Sequence, residues 1–144
     1  MIRAVIFDSD GIIVDSEPFA CLTAKKVLKD LYGISIQKKD IIPLIGTSTA
    51  ETYRALARKY HIPLDLRKIK PARRRVYVSL VQKRLRMFPG FHRLFRALRR
   101  EGFKIALATS GHRYKVRANM KAVHLNLHRF DTVVRGDMVR KDKP

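Results

Sequence analysis

The chain has 144 residues, 46% of them hydrophobic, enough for one moderate core or for a core with a small appended module. That content excludes a disordered chain, and Lys or Arg breaks every apolar run before it reaches the length of a membrane span. Its 32 basic and 12 acidic residues give a formal charge of +20, a balance that favours polyanionic partners through counterion release and long-range steering.

Ile2 to Phe7 is a short apolar run of strand character that ends in Asp8-Ser9-Asp10-Gly11. Alternate residues of a strand share a side, so Asp8 and Asp10 are predicted together, with Ser9 opposed and Gly11 permitting a sharp turn. Ligand sites of parallel α/β sheets lie at the carboxyl ends of the strands. Two acids placed there can share a hard cation such as Mg²⁺, or divide into a nucleophile and a proton carrier. A strand closing in an Asp-Gly turn is the plainer alternative.

A helix is predicted from Glu17 to about Gly33, with Pro18 in its first turn and Leu22, Val27, Leu28 and Leu31 as its apolar stripe. The lone Cys21 on it forms no intrachain disulfide. With a strand pattern in place of a signal peptide at the N-terminus, it points to a reducing cytoplasm. Asp40 to Ile45 is short and apolar, and Gly46-Thr47-Ser48-Thr49 reads as a turn into a helix. Ser48 and Glu51 form its capping box, and Tyr53, Leu56, Ala57 and Tyr60 its buried face. Pro63 is expected to end that helix and Pro71 to open the next, buried through Val76, Leu80, Val81 and Leu85. From Leu66 to Arg100 there are thirteen Lys and Arg and no Asp or Glu, spaced as a solvated helix face would also be.

Phe91, Leu94, Phe95 and Leu98 recur at helical spacing before Gly102. Lys104 to Ala108 reads as a second buried strand, running into Thr109-Ser110-Gly111. Backbone N–H groups there could cap a helix or hold an anion. Tyr114 to about Leu125 is helical and Thr132 to Val134 a third strand. His124 and His128 have no cysteine or carboxylate that would complete a zinc site. The order is that of an α/β fold: a Rossmann-like parallel sheet from 1–13 and 89–144, with residues 14–88 inserted as an α-helical cap.

The string FDSDGIIVDSEP (residues 7–18) resembles the first motif of the haloacid dehalogenase-like superfamily, in its β-phosphoglucomutase and sugar-phosphate phosphatase branch. Phe88-Pro89-Gly90-Phe91, Lys104 through Ser110, and Phe130-Asp131 through Gly136-Asp137 to Lys143-Pro144 match later segments in order. The resemblance implies that Asp8 attacks phosphorus to form an aspartyl-phosphate, while Asp10 protonates the leaving group and activates water. By the same resemblance Thr109 and Ser110 bind the phosphoryl oxygens, Lys143 offsets charge on them, and Gly46, Thr47 and Ser48 reach the substrate from the cap. Asp8 and Asp10 would ligate Mg²⁺. The mutases carry a cap histidine where this chain has Ala20, so a phosphatase of small phosphorylated metabolites is the expected activity. Family members continue past the Lys-Pro to an acidic fourth motif on a strand beside strand one, so the sheet is expected to be incomplete at its C-terminal part. Two other readings follow: a truncated, inactive relative that binds nucleic acid or another polyanion, or a chain whose sheet a second polypeptide completes.

Overall fold

The computed structural model describes residues 2–44 and 47–139. Contacts divide the chain into two compact units, one of Met1–Glu17 with Val78–Pro144 and one of Pro18–Tyr77. The second is a narrower segment than 14–88.

The first unit is built on a parallel sheet. Strands β1 (Ala4–Phe7), β2 (Lys104–Thr109) and β3 (Thr132–Arg135) lie in the order β1-β2-β3. Phe7 pairs with Leu107 and Thr109 with Arg135, so the carboxyl ends of all three strands share one edge. Helix α4 (Phe91–Arg100) precedes β2, and α5 (Arg113–Ala122) follows it. Right-handed crossovers in a sequential strand order lay both helices on one face. Phe7, Ile105, Leu107 and Thr109 are buried on that face. Its core is an aromatic chain: Phe7 meets Phe91 edge-on at 5.2 Å, Phe91 lies 5.8 Å from Phe95, and Phe95 meets Phe130 edge-on at 5.2 Å. Asp131 ties β3 to the rest: its carboxylate accepts from the Ile105 N–H at 2.7 Å and from Arg99 at 2.7 Å. The Ile105 N–H and Arg99 together hold that carboxyl below its ordinary range.

The other face is uncovered among the described residues. Ile6 is 69% exposed there and Val134 37%, and β1 is an edge strand. Parallel sheets are ordinarily buried on both faces, so the expected Rossmann-like sheet is present in incomplete form.

In the second unit, α1 (Glu17–Tyr32) enters from the first and closes at Gly33. Two 3₁₀ turns, Lys38–Asp40 and Ile42–Leu44, occupy the short apolar stretch. Helix α2 (Thr49–Tyr60) starts on the capping box: Ser48 Oγ accepts from the Glu51 N–H, and Glu51 accepts from the Ser48 N–H. Asp40 is the unit's internal tie. It accepts from Lys59 at 2.6 Å, from the Tyr60 hydroxyl and from the Gln37 N–H at 2.7 Å, which together hold its carboxyl well below the usual range. Helix α3 (Leu66–Arg84) runs from this unit into the first.

Several local expectations are corrected. Helix α2 ends at Tyr60, with His61 in the left-handed conformation, so the chain turns before Pro63 is reached. Pro71 lies inside α3; Asp65 opens that helix by accepting from the Arg67 N–H at 2.9 Å. Leu22, Leu31 and Leu94 are exposed, Leu94 by 48%, while Phe19, Cys21 and Ala24 are buried instead. Helical spacing locates an apolar arc, but neighbouring elements decide which part of it is covered.

Candidate functional site

The site begins with the turn after β1. Gly11 takes a left-handed φ of 77° and its N–H donates to the Val14 carbonyl at 2.9 Å. The Ser9 carbonyl accepts from Ile13 and Val14 at 3.0 and 3.1 Å. This curl puts the Ser9 side chain inside, 1% exposed, and leaves Asp8 and Asp10 partly exposed at the strand end. The alternation read from the sequence holds at these three residues. It also brings Ser16 back, so that its hydroxyl donates to Asp10 Oδ1. Asp8 Oδ1 accepts from the Ser9 N–H at 2.7 Å.

The β1–β2 register carries β2 past these acids to Thr109, which is buried at the same edge. Thr109 Oγ1 accepts from the Gly111 N–H at 3.1 Å, so the hydroxyl is fixed by the backbone that turns towards α5. Ser110 beside it is exposed. A Cβ at Gly136 would run into the Ser110 carbonyl oxygen, so the chain after β3 closes on this turn only where there is no side chain. Asp137 next to it accepts from the Arg113 N–H at 3.1 Å and from Arg135 Nε at 3.1 Å, supporting the start of α5. Burial works against its charge, yet Arg135 and the backbone N–H hold its carboxyl below the ordinary range. Asp137 is thus a structural acid, as its place near the loop to Lys143 suggests.

Helix α5 supplies side chains that the motifs do not mark. Lys115 Nζ lies 2.7 Å from Asp10 Oδ2, with both side chains about three-quarters buried, and Asn119 Nδ2 lies 3.5 Å from Asp10 Oδ1. Asn119 is itself buried. Asp10 is thus held by a serine from its own loop and by an ammonium and an amide one turn apart on α5. The spacing of Lys115 and Asn119 just after the strand-to-helix turn at Thr109-Ser110-Gly111 is the one sequence signal that would have found them.

Of the remaining predicted residues, Thr47 and Ser48 lie in the helical unit. Thr47 Oγ1 donates to the Leu44 carbonyl at 2.8 Å, and Ser48 caps α2. Gly46 and Lys143 lie outside the described residues. Asp8 with its carboxylate and Asp10 with its backbone carbonyl offer Mg²⁺ the hard oxygen donors it prefers, at a partly exposed position, so these two residues fit the ion. Among the described residues no cluster of three or more His, Cys, Asp or Glu forms a complete metal site. No helix among them is long and apolar enough to cross a membrane.

Three comparisons bear on this geometry. The chain is 31% identical over 147 residues to a phosphoglycolate phosphatase of Nitrosospira multiformis, covering 99% of itself and 64% of that protein. It is 29% identical over 153 residues to the chloroplastic protein SUPPRESSOR OF QUENCHING 1 of Arabidopsis thaliana, covering 99% of itself but 14% of that protein. Its fold superposes on CbbY from Rhodobacter sphaeroides, solved with phosphate, with a TM-score of 0.81 at 25% identity, covering 99% of this chain and 67% of that one. The chain therefore spans less than two thirds of the length of these two curated relatives. Residues 5–144 match the family of haloacid dehalogenase-like hydrolases, and the chain belongs to that family.

Proposed function

We propose that the chain carries the nucleophile and phosphoryl-binding part of a phosphatase acting on small phosphorylated metabolites, through an aspartyl-phosphate. The observation that supports this most is the pair of partly exposed carboxylates, Asp8 and Asp10, at a strand end whose neighbouring strand ends in Thr109. Asp8 attacks phosphorus with one oxygen, forming the acyl phosphate as the bond to the leaving oxygen breaks; Asp10 gives that oxygen a proton. In the second half Asp10 takes a proton from water, which attacks phosphorus, releases phosphate and regenerates the Asp8 carboxylate. Thr109 donates to a phosphoryl oxygen, and the exposed Ser110 beside it adds a second phosphoryl contact.

A bound Mg²⁺ would be held by Asp8 and Asp10 and would offset the negative charge of the phosphoryl group. Lys143 adds a positive charge in this reading, and residues 14–88 act as a cap whose Gly46, Thr47 and Ser48 contact the substrate. Further acids that complete the ion's shell would come from polypeptide paired along the open edge of β1. Lys115 and Ser16 hold Asp10 in place between turnovers.

Acid quenching during turnover of a phosphate ester tests the mechanism. A protein-bound phosphate that is stable in acid and released by hydroxylamine is expected, absent in Asp8→Asn. A phosphate bound to the protein in Asp8→Asn as well, or none in either protein during turnover, would overturn it.

A further inference from the structure

The concentrated positive charge has no part in that chemistry. On α3, Arg67, Lys70 and Arg74 recur at i, i+3 and i+7, with Lys68 and Arg75 alongside; all five are exposed. Ile69, Ala72 and Val76 have the same spacing on the opposite side and are buried. The stripe from 67 to 75 runs ~12 Å along the helix axis. Helix α4 repeats the pattern: Arg93, Arg96 and Arg100 are exposed at i, i+3 and i+7, opposite buried Phe91 and Phe95.

No acidic residue occurs from 66 to 100. Asp65 approaches Arg67 Nε and Glu101 approaches Arg100 Nε, each at 3.7 Å and so beyond hydrogen-bond distance, while Asp131 pairs with Arg99 outside the α4 stripe. Like charges at these spacings destabilise a helix, so both faces gain when an anion covers them.

The structure favours one kind of anion. Among the large apolar residues of the two helices only Leu94 on α4 is exposed, a single side chain where insertion into a lipid surface needs a whole apolar face. Tyr77, Phe91 and Phe95 are buried too, so neither helix offers an aromatic platform for the bases of a single strand. A duplex presents one phosphate charge per ~1.7 Å of axis, a near-continuous match to a stripe of this length. Arginine, the larger share of the stripe residues, binds phosphate oxygens in a two-pronged fork.

We propose that the exposed basic faces of α3 and α4 each bind double-stranded nucleic acid through its phosphate backbone, without sequence preference. The test is anisotropy of a short fluorescein-labelled duplex of mixed sequence, titrated with the protein over a salt series. A combined variant carries Arg67→Gln, Lys68→Gln, Lys70→Gln, Arg74→Gln and Arg75→Gln. A control with the same net charge carries Lys29→Gln, Lys38→Gln, Lys39→Gln, Arg117→Gln and Lys121→Gln, all exposed positions elsewhere. For the α3 variant the log–log salt slope is expected to flatten by about 0.9 for each cation removed. The control is expected to keep most of the wild-type slope. Should the α3 variant lose its helical circular dichroism, Arg93→Gln with Arg96→Gln and Arg100→Gln on α4 carries the same expectation. Asp8→Asn is expected to bind the duplex as wild type does, which separates this surface from the phosphatase reading. Equal losses in variant and control, tighter binding to the single strand or to phosphatidylserine vesicles, or no duplex binding would each overturn the proposal.

Discussion

Asp40 in the helical unit and Asp10 at the strand end are both carboxylates held by a lysine, but they are held differently. Both Asp40 oxygens are taken by donors from its own unit: Lys59 on one, Tyr60 and the Gln37 N–H on the other, with the residue buried. Asp10 too has both oxygens engaged, Lys115 on one and Ser16 and Asn119 on the other, but its side chain stays about a quarter exposed, next to a second partly exposed carboxylate at the carboxyl end of a parallel strand. An acid that serves the scaffold is buried among its donors. An acid placed for chemistry keeps a side open to ligand and stands beside a partner. Stability and turnover should therefore respond to different aspartates.

The largest stability loss is expected at the aromatic chain behind the sheet. Phe95→Ala removes contacts with Phe91 and Phe130 and should cost about 3–5 kcal/mol in denaturant unfolding. Asp40→Asn should come next, lowering the melting temperature by unpairing Lys59 and Tyr60. The sign of its pH dependence follows from the depressed carboxyl. The stabilisation is fully present above the unfolded value near about 4 and fades as pH falls, so wild type and Asp40→Asn should converge in acid. A melting difference that grows below that pH would break the contrast between the two acids. Ser48→Ala loses one side of an exposed capping box and should cost about 1 kcal/mol. Asp8→Asn should have the smallest effect on unfolding, within about 0.5 kcal/mol, since an amide oxygen can still accept from the Ser9 N–H.

The residues most legible in the sequence were those whose partners are close in the chain. Asp8, Ser9 and Asp10 followed from strand alternation, and the Ser48–Glu51 box from its spacing. The parallel order of strands and helices was legible too, because each element carries its own periodicity. Lys115 was not, since its contact with Asp10 spans 105 positions and depends on the β1–β2 register. Pro71 misled for a different reason: proline commonly opens helices, but Asp65 already supplied a cap six residues earlier. The exposed Leu94 and the open side of Ile6 depend on which elements cover the sheet, something no local pattern records.

The most direct test of the central claim is Mg²⁺-dependent hydrolysis of an aryl phosphate by the chain and by Asp8→Asn, purified identically. Measurable turnover that falls at least about a thousandfold in the variant is the expected result, since loss of a nucleophile disables the groups that act with it. Equal rates in both proteins would contradict the account.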